Sequence, residues 1–194
     1  ATDHDDVMVK AEPASVGFFD VESKAFQEID RTTTWCWQQG CRSIWLSNDT
    51  FIYNKIIDGD YGSSVYSIKA NAIIESYNFP IYDLSSDSSL ALSLNFARLQ
   101  YFRPGYGYCD YLSSTDTAKL PVLDGVFLCD LNTNTKKLLI SLTQLIAKDT
   151  KESMNGGTHY INHLKFSQND TSFIFYHFWL NGSKRYSRAV IGDI

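Results

Sequence analysis

Residues 44–54 read I-W-L-S-N-D-T-F-I-Y-N: a short apolar run, a serine, an Asn-Asp-Thr turn, then a second run of aromatic and β-branched side chains. Such side chains suit a pleated, half-buried surface, and Asn and Asp bend a chain by bonding their own backbone, so the stretch predicts an antiparallel hairpin. The same grammar returns as Y-D-L-S-S-D-S-S-L-A-L-S-L-N from Tyr82 and L-K-F-S-Q-N-D-T-S-F-I-F-Y-H from Leu164. A second pattern, strand, polar turn, strand, alternates with it. It reads V-G-F-F-D-V-E-S-K-A-F-Q-E-I from Val16, S-V-Y-S-I-K-A-N-A-I-I-E-S from Ser64 and G-V-F-L-C-D-L-N-T-N-T-K-K-L-L-I-S from Gly125; A-V-I-G-D-I from Ala189 starts the same way.

Two alternating hairpins give four antiparallel strands per unit. Units of this kind recurring at roughly 40–60 residues are what a β-propeller blade requires, whereas a β-sandwich accounts for the strands but not for the alternation. The expected fold class is therefore all-β: a β-propeller of four-stranded antiparallel blades, about three of them present, read as a fragment of a longer propeller. The expected units are a partial blade at 15–30, complete blades at 41–78 and 79–143, and a partial blade at 159–194. Residues 1–14 are read as an N-terminal extension or closing strand. An open arc leaves apolar faces uncovered, which a longer chain or the association of copies would resolve. Helix is expected only around Leu142–Lys151, in the loop between the last two units.

The composition agrees with strands and excludes several functions. The 194 residues are 44% hydrophobic and 14% aromatic, with twelve Tyr, twelve Phe and four Trp, which is a core-forming chain and not a disordered one. Lys and Arg number 17 against 22 Asp and Glu, a net charge of −5 with no basic cluster. Nucleic acid and anionic membrane surfaces are thus poor partners unless a local patch or a metal reverses the field. No apolar run is long enough to span a bilayer and the first residues do not read as a signal peptide, so a soluble chain is expected, with the cytoplasm favoured. Cys36, Cys41, Cys109 and Cys129 form neither a disulfide framework nor a zinc spacing and are read as buried free thiols. If their stretch is extended, Cys36 and Cys41 point to opposite faces. The Asn48, Asn169 and Asn181 sequons matter only in a secreted eukaryotic protein, and two of them fall in expected turns.

The hairpins resemble those of TolB-type and WD40-like propellers, in which S-P-D-G usually fills the turns that here read S-N-D-T, S-S-D-S-S and S-Q-N-D. Pro and Gly are missing from all three turns, which marks a divergent member. The resemblance covers about residues 15–194 and bears on fold, since such propellers serve as binding platforms, peptidase partners and enzymes alike. The stretches W-C-W-Q-Q-G-C-R (Trp35–Arg42), R-P-G-Y-G-Y (Arg103–Tyr108) and H-Y-I-N-H (His159–His163) are also similar to bacterial propeller proteins, some of them associated with surface-polysaccharide gene sets.

Three of the four histidines, His159, His163 and His177, fall in the last unit. With the turn between Ser167 and Ser172, His163 is expected about opposite His177, with His159 close to the channel mouth, near enough for imidazoles to share a metal. This set is similar to the histidine-rich manganese site of the propeller oligogalacturonate lyases, where glutamine is also a ligand, and Gln39 or Gln38 takes that place here. A divalent metal such as manganese would acidify the proton next to a substrate carboxylate, leaving Arg42, Arg98 or Lys165 as catalytic bases or charge clamps. The alternative is that these histidines hydrogen-bond neighbouring blades. Asp20, Asp130 and Asp193 recur at one strand position and most simply start turns.

The stretch Leu99–Asp124 is expected to be an inserted loop. Its Tyr101, Arg103, Tyr106 and Tyr108 suit a carbohydrate ligand, because flat aromatics stack on sugar rings while Arg and Asp bind hydroxyls. The alternative is a loop burying its own tyrosines. Trp35, Trp37, Trp45 and Trp179 are read as packing between blades. Asp83, Asp110 and Asp124 are a candidate carboxylate set for glycosidase chemistry. No G-x-S-x-G elbow, phosphate loop or dinucleotide fingerprint occurs. The first reading is a ligand-binding scaffold for carbohydrate or another small molecule. The second is a metal-dependent uronate lyase, and the third a protein-interaction platform.

Overall fold

The computed structural model describes residues 11–194, so the expected 1–14 extension falls mostly outside the described residues. Four antiparallel sheets follow one another in chain order, and within each the strands are hydrogen-bonded in the order of the sequence. The first holds β1 (Ala14–Asp20) and β2 (Ala25–Thr32). The second holds β3 (Ile44–Trp45), β4 (Thr50–Ile57), β5 (Asp60–Ser67) and β6 (Ala72–Tyr77). The third holds β7 (Asp83–Leu84), β8 (Leu90–Ser93), β9 (Gly125–Asp130) and β10 (Thr135–Ser141). The fourth holds β11 (Thr158–Phe166), β12 (Ser172–Asn181) and β13 (Lys184–Asp193). The four-stranded sheets lie within 41–78 and 79–143, where complete units were expected.

The turns explain why the strands reverse without Pro or Gly. In the three hairpins quoted first, a serine hydroxyl accepts from the amide that opens the return strand: Ser47 from Thr50 at 3.0 Å, Ser85 from Leu90 at 2.9 Å and Ser167 from Ser172 at 3.1 Å. A hydroxyl two to five residues away does locally what a backbone turn bond would do. The alternating hairpins use left-handed residues at one matching place, Lys24, Asn71 and Asn134, with φ of 54°, 52° and 51°. Asp20 and Asp130 start their turns as expected, accepting from Ser23 at 2.7 Å and from Asn132 at 2.8 Å.

Each sheet shares a buried apolar layer with the next. Val16 of β1 packs with Phe51, Tyr53 and Tyr66 of the second sheet. Ile52 and Val65 meet Ala91 and Cys129 of the third. Leu92, Val126 and Leu128 then join Ile161, Phe173 and Phe175 of the fourth, together with residues of the two longer helices. Burying side chains of this size stabilises by about 1.5–3 kcal/mol each, so adjacent sheets are held by their faces.

One helix, α1 (Phe96–Phe102), corrects the expectation of a plain loop over Leu99–Asp124. Asn95 caps it by accepting from the Arg98 amide at 2.9 Å. The helix has no exposed stripe, since Phe96 to Gln100 are all buried, so it carries no amphipathic period for a sequence reading to find. A single turn, α2 (Ser114–Thr117), and a 3-10 turn at Glu152–Met154 were likewise unforeseen. Helix α3 (Leu142–Lys148) lies where expected, started by a Ser141/Gln144 capping box. No helix of the described residues is long and apolar enough to cross a membrane.

Two further expectations are corrected. The Cys36–Cys41 stretch is not extended: Cys36 and Gly40 exchange backbone bonds of 3.1 and 2.9 Å, closing a tight loop. All four thiols are free, but only Cys36 and Cys129 are buried. Trp37 is 84% exposed and Trp45 58%, so these two are not packing between sheets, whereas Trp179 is buried at 4%.

Candidate ligand-binding site

The site forms where β11 departs from regular pairing. Asn162 pairs with Tyr176 and Lys165 with Ile174, so two residues of β11, His163 and Leu164, oppose one of β12. His163 absorbs the bulge with φ of 57°, a left-handed conformation that costs a non-glycine residue about 1–3 kcal/mol and persists only where its surroundings enforce it. The enforcement is visible. The His163 amide donates to the Tyr82 hydroxyl at 3.1 Å and to Asn162 Oδ1 at 2.8 Å. Asn162 Oδ1 also accepts from the Tyr82 hydroxyl at 2.9 Å and from Gln39 Nε2 at 3.4 Å. Asn162, only 2% exposed, is thus the hub that joins three segments distant in sequence.

Around the hub stand cations and aromatics. The Arg42 guanidinium lies 4.2 Å from the centre of the Tyr82 ring and donates to the Tyr82 carbonyl and, at 3.4 Å, to Gln39 Oε1. Arg42 Nε is buried without a partner. Arg103 lies over the Tyr106 ring at 5.0 Å, and Tyr106 and Tyr176 stand edge-on to the His163 imidazole at 6.1 and 5.8 Å. Gln38 donates its amide to the Gly105 carbonyl at 3.1 Å, tying the two loops together. Gly107 is required: a Cβ there would sit 2.0 Å from the Phe96 carbonyl oxygen. The stretches Trp35–Arg42, Arg103–Tyr108 and His159–His163, singled out in the sequence, therefore converge. Burial lowers the His163 pKa, and the nearby positive charges of Arg42 and Arg103 lower it further. Among the described residues neither arginine pairs with a carboxylate.

The three-histidine metal set does not form. Ile161, not His163, pairs with His177, and His159 pairs with Trp179: counted from the Phe166 and Phe173 pair, His163 falls opposite Tyr176, and the bulge carries it one place further from His177. Arg188 Nε donates to His177 Nδ1 at 3.2 Å, which places the His177 proton on Nε2. That proton goes to His159 Nδ1 at 3.0 Å, leaving His159 Nε2 to donate to the Met154 carbonyl at 3.4 Å. Every ring nitrogen of this pair is engaged, so neither offers a lone pair to manganese or another divalent ion. Gln39 bonds Asn162 instead. Among the described residues no three His, Cys, Asp or Glu side chains are grouped to hold a metal.

Other candidates take structural places. Arg98, 1% exposed, donates to the carbonyls of His159, Asp116 and Ala118 at 2.7 Å and Lys119 at 3.1 Å, and burial lowers its pKa to about 10. It fastens the inserted segment to β11 and is not placed to act as a base. Lys165 pairs with Asp83 at 2.8 Å, and Asp83 also accepts from the Phe166 amide at 2.8 Å. Asp110 bonds Thr33, and Asp124 bonds Asn95 at 3.0 Å, so these carboxylates do not share a site. Tyr108 is fully buried, stacked on Phe96 at 4.3 Å with its hydroxyl accepting from Asn54 Nδ2 at 2.8 Å. Tyr101 lies edge-on to Phe102 at 4.9 Å. Of the four loop residues expected to meet ligand, Arg103 and Tyr106 stand in the cluster. Tyr82, Asn162 and Tyr176 were missed; only Asn162 had a signal, its place inside H-Y-I-N-H.

The class defined by fold and site is an all-β chain of four antiparallel sheets with a cationic, tyrosine-lined cluster at the start of the fourth. No family model matches the chain. No curated protein matches it.

Proposed function

We propose that this chain is a β-propeller segment that acts as a saccharide-binding scaffold, with the ligand seated on Tyr106, Arg103, Arg42 and His163. The observation that carries the reading is the convergence of three segments, the loop before the second sheet, the insertion in the third and the first strand of the fourth, on an exposed imidazole held in a left-handed bulge. Strain of this kind collects at ligand sites, where a regular strand would point the side chain elsewhere. The consecutive four-stranded sheets, each sharing a core with the next, support the propeller arrangement. Position supports it too: Arg42 precedes β3, Tyr82 precedes β7, and His163 lies on β11, the first strands of their sheets. In a propeller these strands line the central channel, so the cluster would lie at its mouth.

The test is calorimetric titration with a panel of neutral and acidic oligosaccharides, using the wild type and the Tyr106→Ala and His163→Ala variants. Binding that weakens in both variants, with far-ultraviolet circular dichroism unchanged, is expected; no binding by any saccharide overturns the reading. The uronate lyase alternative depended on the three-histidine set and finds no support in this geometry. A protein-interaction platform is the second reading, favoured by the exposed Val122 and Leu123 of the inserted segment, 68% and 82% accessible.

A further inference from the structure

We infer that the saccharide taken by this site is an acidic one, whose carboxylate is shared by the guanidinium groups of Arg42 and Arg103 while its ring lies against Tyr106. The inference rests on the saccharide reading above and adds the charge of the ligand.

The donor and acceptor inventory of the cluster is lopsided. Its principal acceptor, Asn162 Oδ1, already receives the Tyr82 hydroxyl, the His163 amide and Gln39 Nε2. Gln39 Oε1 receives Arg42 and the Tyr82 carbonyl receives Arg42 as well. What is left over is donors: Arg42 Nε, buried without a partner, and the guanidinium of Arg103, which lies over the face of Tyr106. A neutral sugar presents hydroxyls that donate as well as accept, and a site for one needs acceptors to match. Apart from the tyrosine hydroxyls, this site has hardly any to spare. An oxyanion needs donors alone, and two guanidinium groups supply forked, charge-assisted bonds to it.

Charge points the same way. The chain carries −5 overall, yet two of its carboxylates are already engaged, Asp83 with Lys165 and Asp110 with Thr33. Arg42 and Arg103 are among the cations that have no carboxylate partner among the described residues. The cluster is thus a local positive patch on an acidic molecule, the circumstance under which an anionic ligand becomes a partner. Tyr106, edge-on to His163 with Arg103 over its ring, brings the aromatic surface next to the cations.

The experiment compares a hexuronic acid trisaccharide with its methyl ester, which keeps the sugar and removes the charge, by titration calorimetry on the wild-type chain. The acid is expected to bind at least about tenfold more tightly, because hydrogen bonds to charged groups exceed neutral ones by about 1.4 kcal/mol or more. Arg103→Gln, at a half-buried position, is expected to reduce that preference about tenfold with the fold intact, and Arg42→Lys to reduce it in part. Equal binding of acid and ester, or preference for the ester, overturns the acidic-ligand inference and leaves the saccharide reading standing. Failure of both sugars, and of the neutral panel, overturns the two together.

Discussion

His177 donates from Nε2 to His159 Nδ1 across 3.0 Å, and Arg188 fixes the direction of that bond by occupying His177 Nδ1. Both imidazoles are therefore neutral in the folded chain. Protonating either one puts two donors face to face beside two guanidinium groups, Arg188 and Arg98.

This pair predicts acid sensitivity. Burial, then His159 and Arg188, lower the His177 pKa from 6.5 to about 3, and burial lowers that of His159. The unfolded chain binds a proton near pH 6.5 that the folded chain refuses until about pH 3, so stability is full above pH 6.5 and falls with pH across that window. The loss belongs to the pair, since each proton must enter the same buried hydrogen bond. Asp149, which pairs with Arg188 at 3.0 Å and has its pKa lowered chiefly by Lys151, adds a loss only below its ordinary range. Melting temperatures measured from pH 7.5 to 4.5 should fall steadily in the wild type and less steeply in His177→Gln, whose amide keeps an acceptor and a donor without titrating. Equal slopes would remove the pair from the explanation.

His163→Gly should separate stability from binding. Glycine takes φ of 57° freely, so relief of strain offsets the added chain entropy and the unfolding free energy from urea denaturation should stay level or rise by up to about 1 kcal/mol. Saccharide affinity should fall. A variant that lost stability while binding normally would contradict the role given to the bulge.

Gly107→Ala should be severe for a surface segment. Its Cβ would lie 2.0 Å from the Phe96 carbonyl oxygen and 2.5 Å from the Gln100 amide nitrogen, backbone atoms on α1 with little freedom to yield. A loss of about 1–3 kcal/mol in chemical denaturation is expected, with displacement of Arg103 and Tyr106 and weakened binding. Wild-type stability in this variant would mean the loop is not packed against α1 as described.

Arg98→Met should cost about 3–5 kcal/mol, since it strands four carbonyls and leaves Asp124 without its counter-charge. Burial already raises the Asp124 pKa, and losing Arg98 raises it further. Urea unfolding measures the loss. An unperturbed midpoint would show that the inserted segment does not depend on this clamp.

Trp37→Ala tests the rim of the site. At 84% exposure, with an edge-on contact to Trp35 at 5.2 Å, Trp37 contributes little to folding, and a change within about 0.5 kcal/mol is expected. Its loop is tied to Gly105 and, through Gln39, to Asn162, so an extended ligand should quench its fluorescence in the wild type. Absence of quenching by a ligand that binds would place Trp37 outside the footprint.

Strands, their order and their turns were legible in the sequence because each is decided by neighbours. Ser47, Ser85 and Ser167 lie within five residues of the amides they accept from, and the alternation of hairpins needs no distant contact. The three stretches that meet at the site were legible as stretches, each an unusual density of Trp, Tyr, Arg, His or Gly. Their meeting was not: Gln39 and Asn162 are separated by 123 positions, Tyr82 and Asn162 by 80.

The histidine register shows the boundary most sharply. Counting from the turn puts His163 across from Tyr176, one place short of His177, and one extra residue in β11 moves it a place further away. A bulge is set by what holds the strand from outside, here the Tyr82 hydroxyl, bonded to the His163 amide and to Asn162 Oδ1, which no local propensity reports. Arg98 and α1 escaped for the same reason, since a buried guanidinium facing four carbonyls is recognisable only once those carbonyls are assembled. Composition and local turn chemistry by themselves determined an all-β chain of repeated antiparallel hairpins. Tertiary packing alone decided which histidines are neutral and buried, which one is exposed, and which arginines are left without a carboxylate, because burial and charge pairing are properties of neighbours in space.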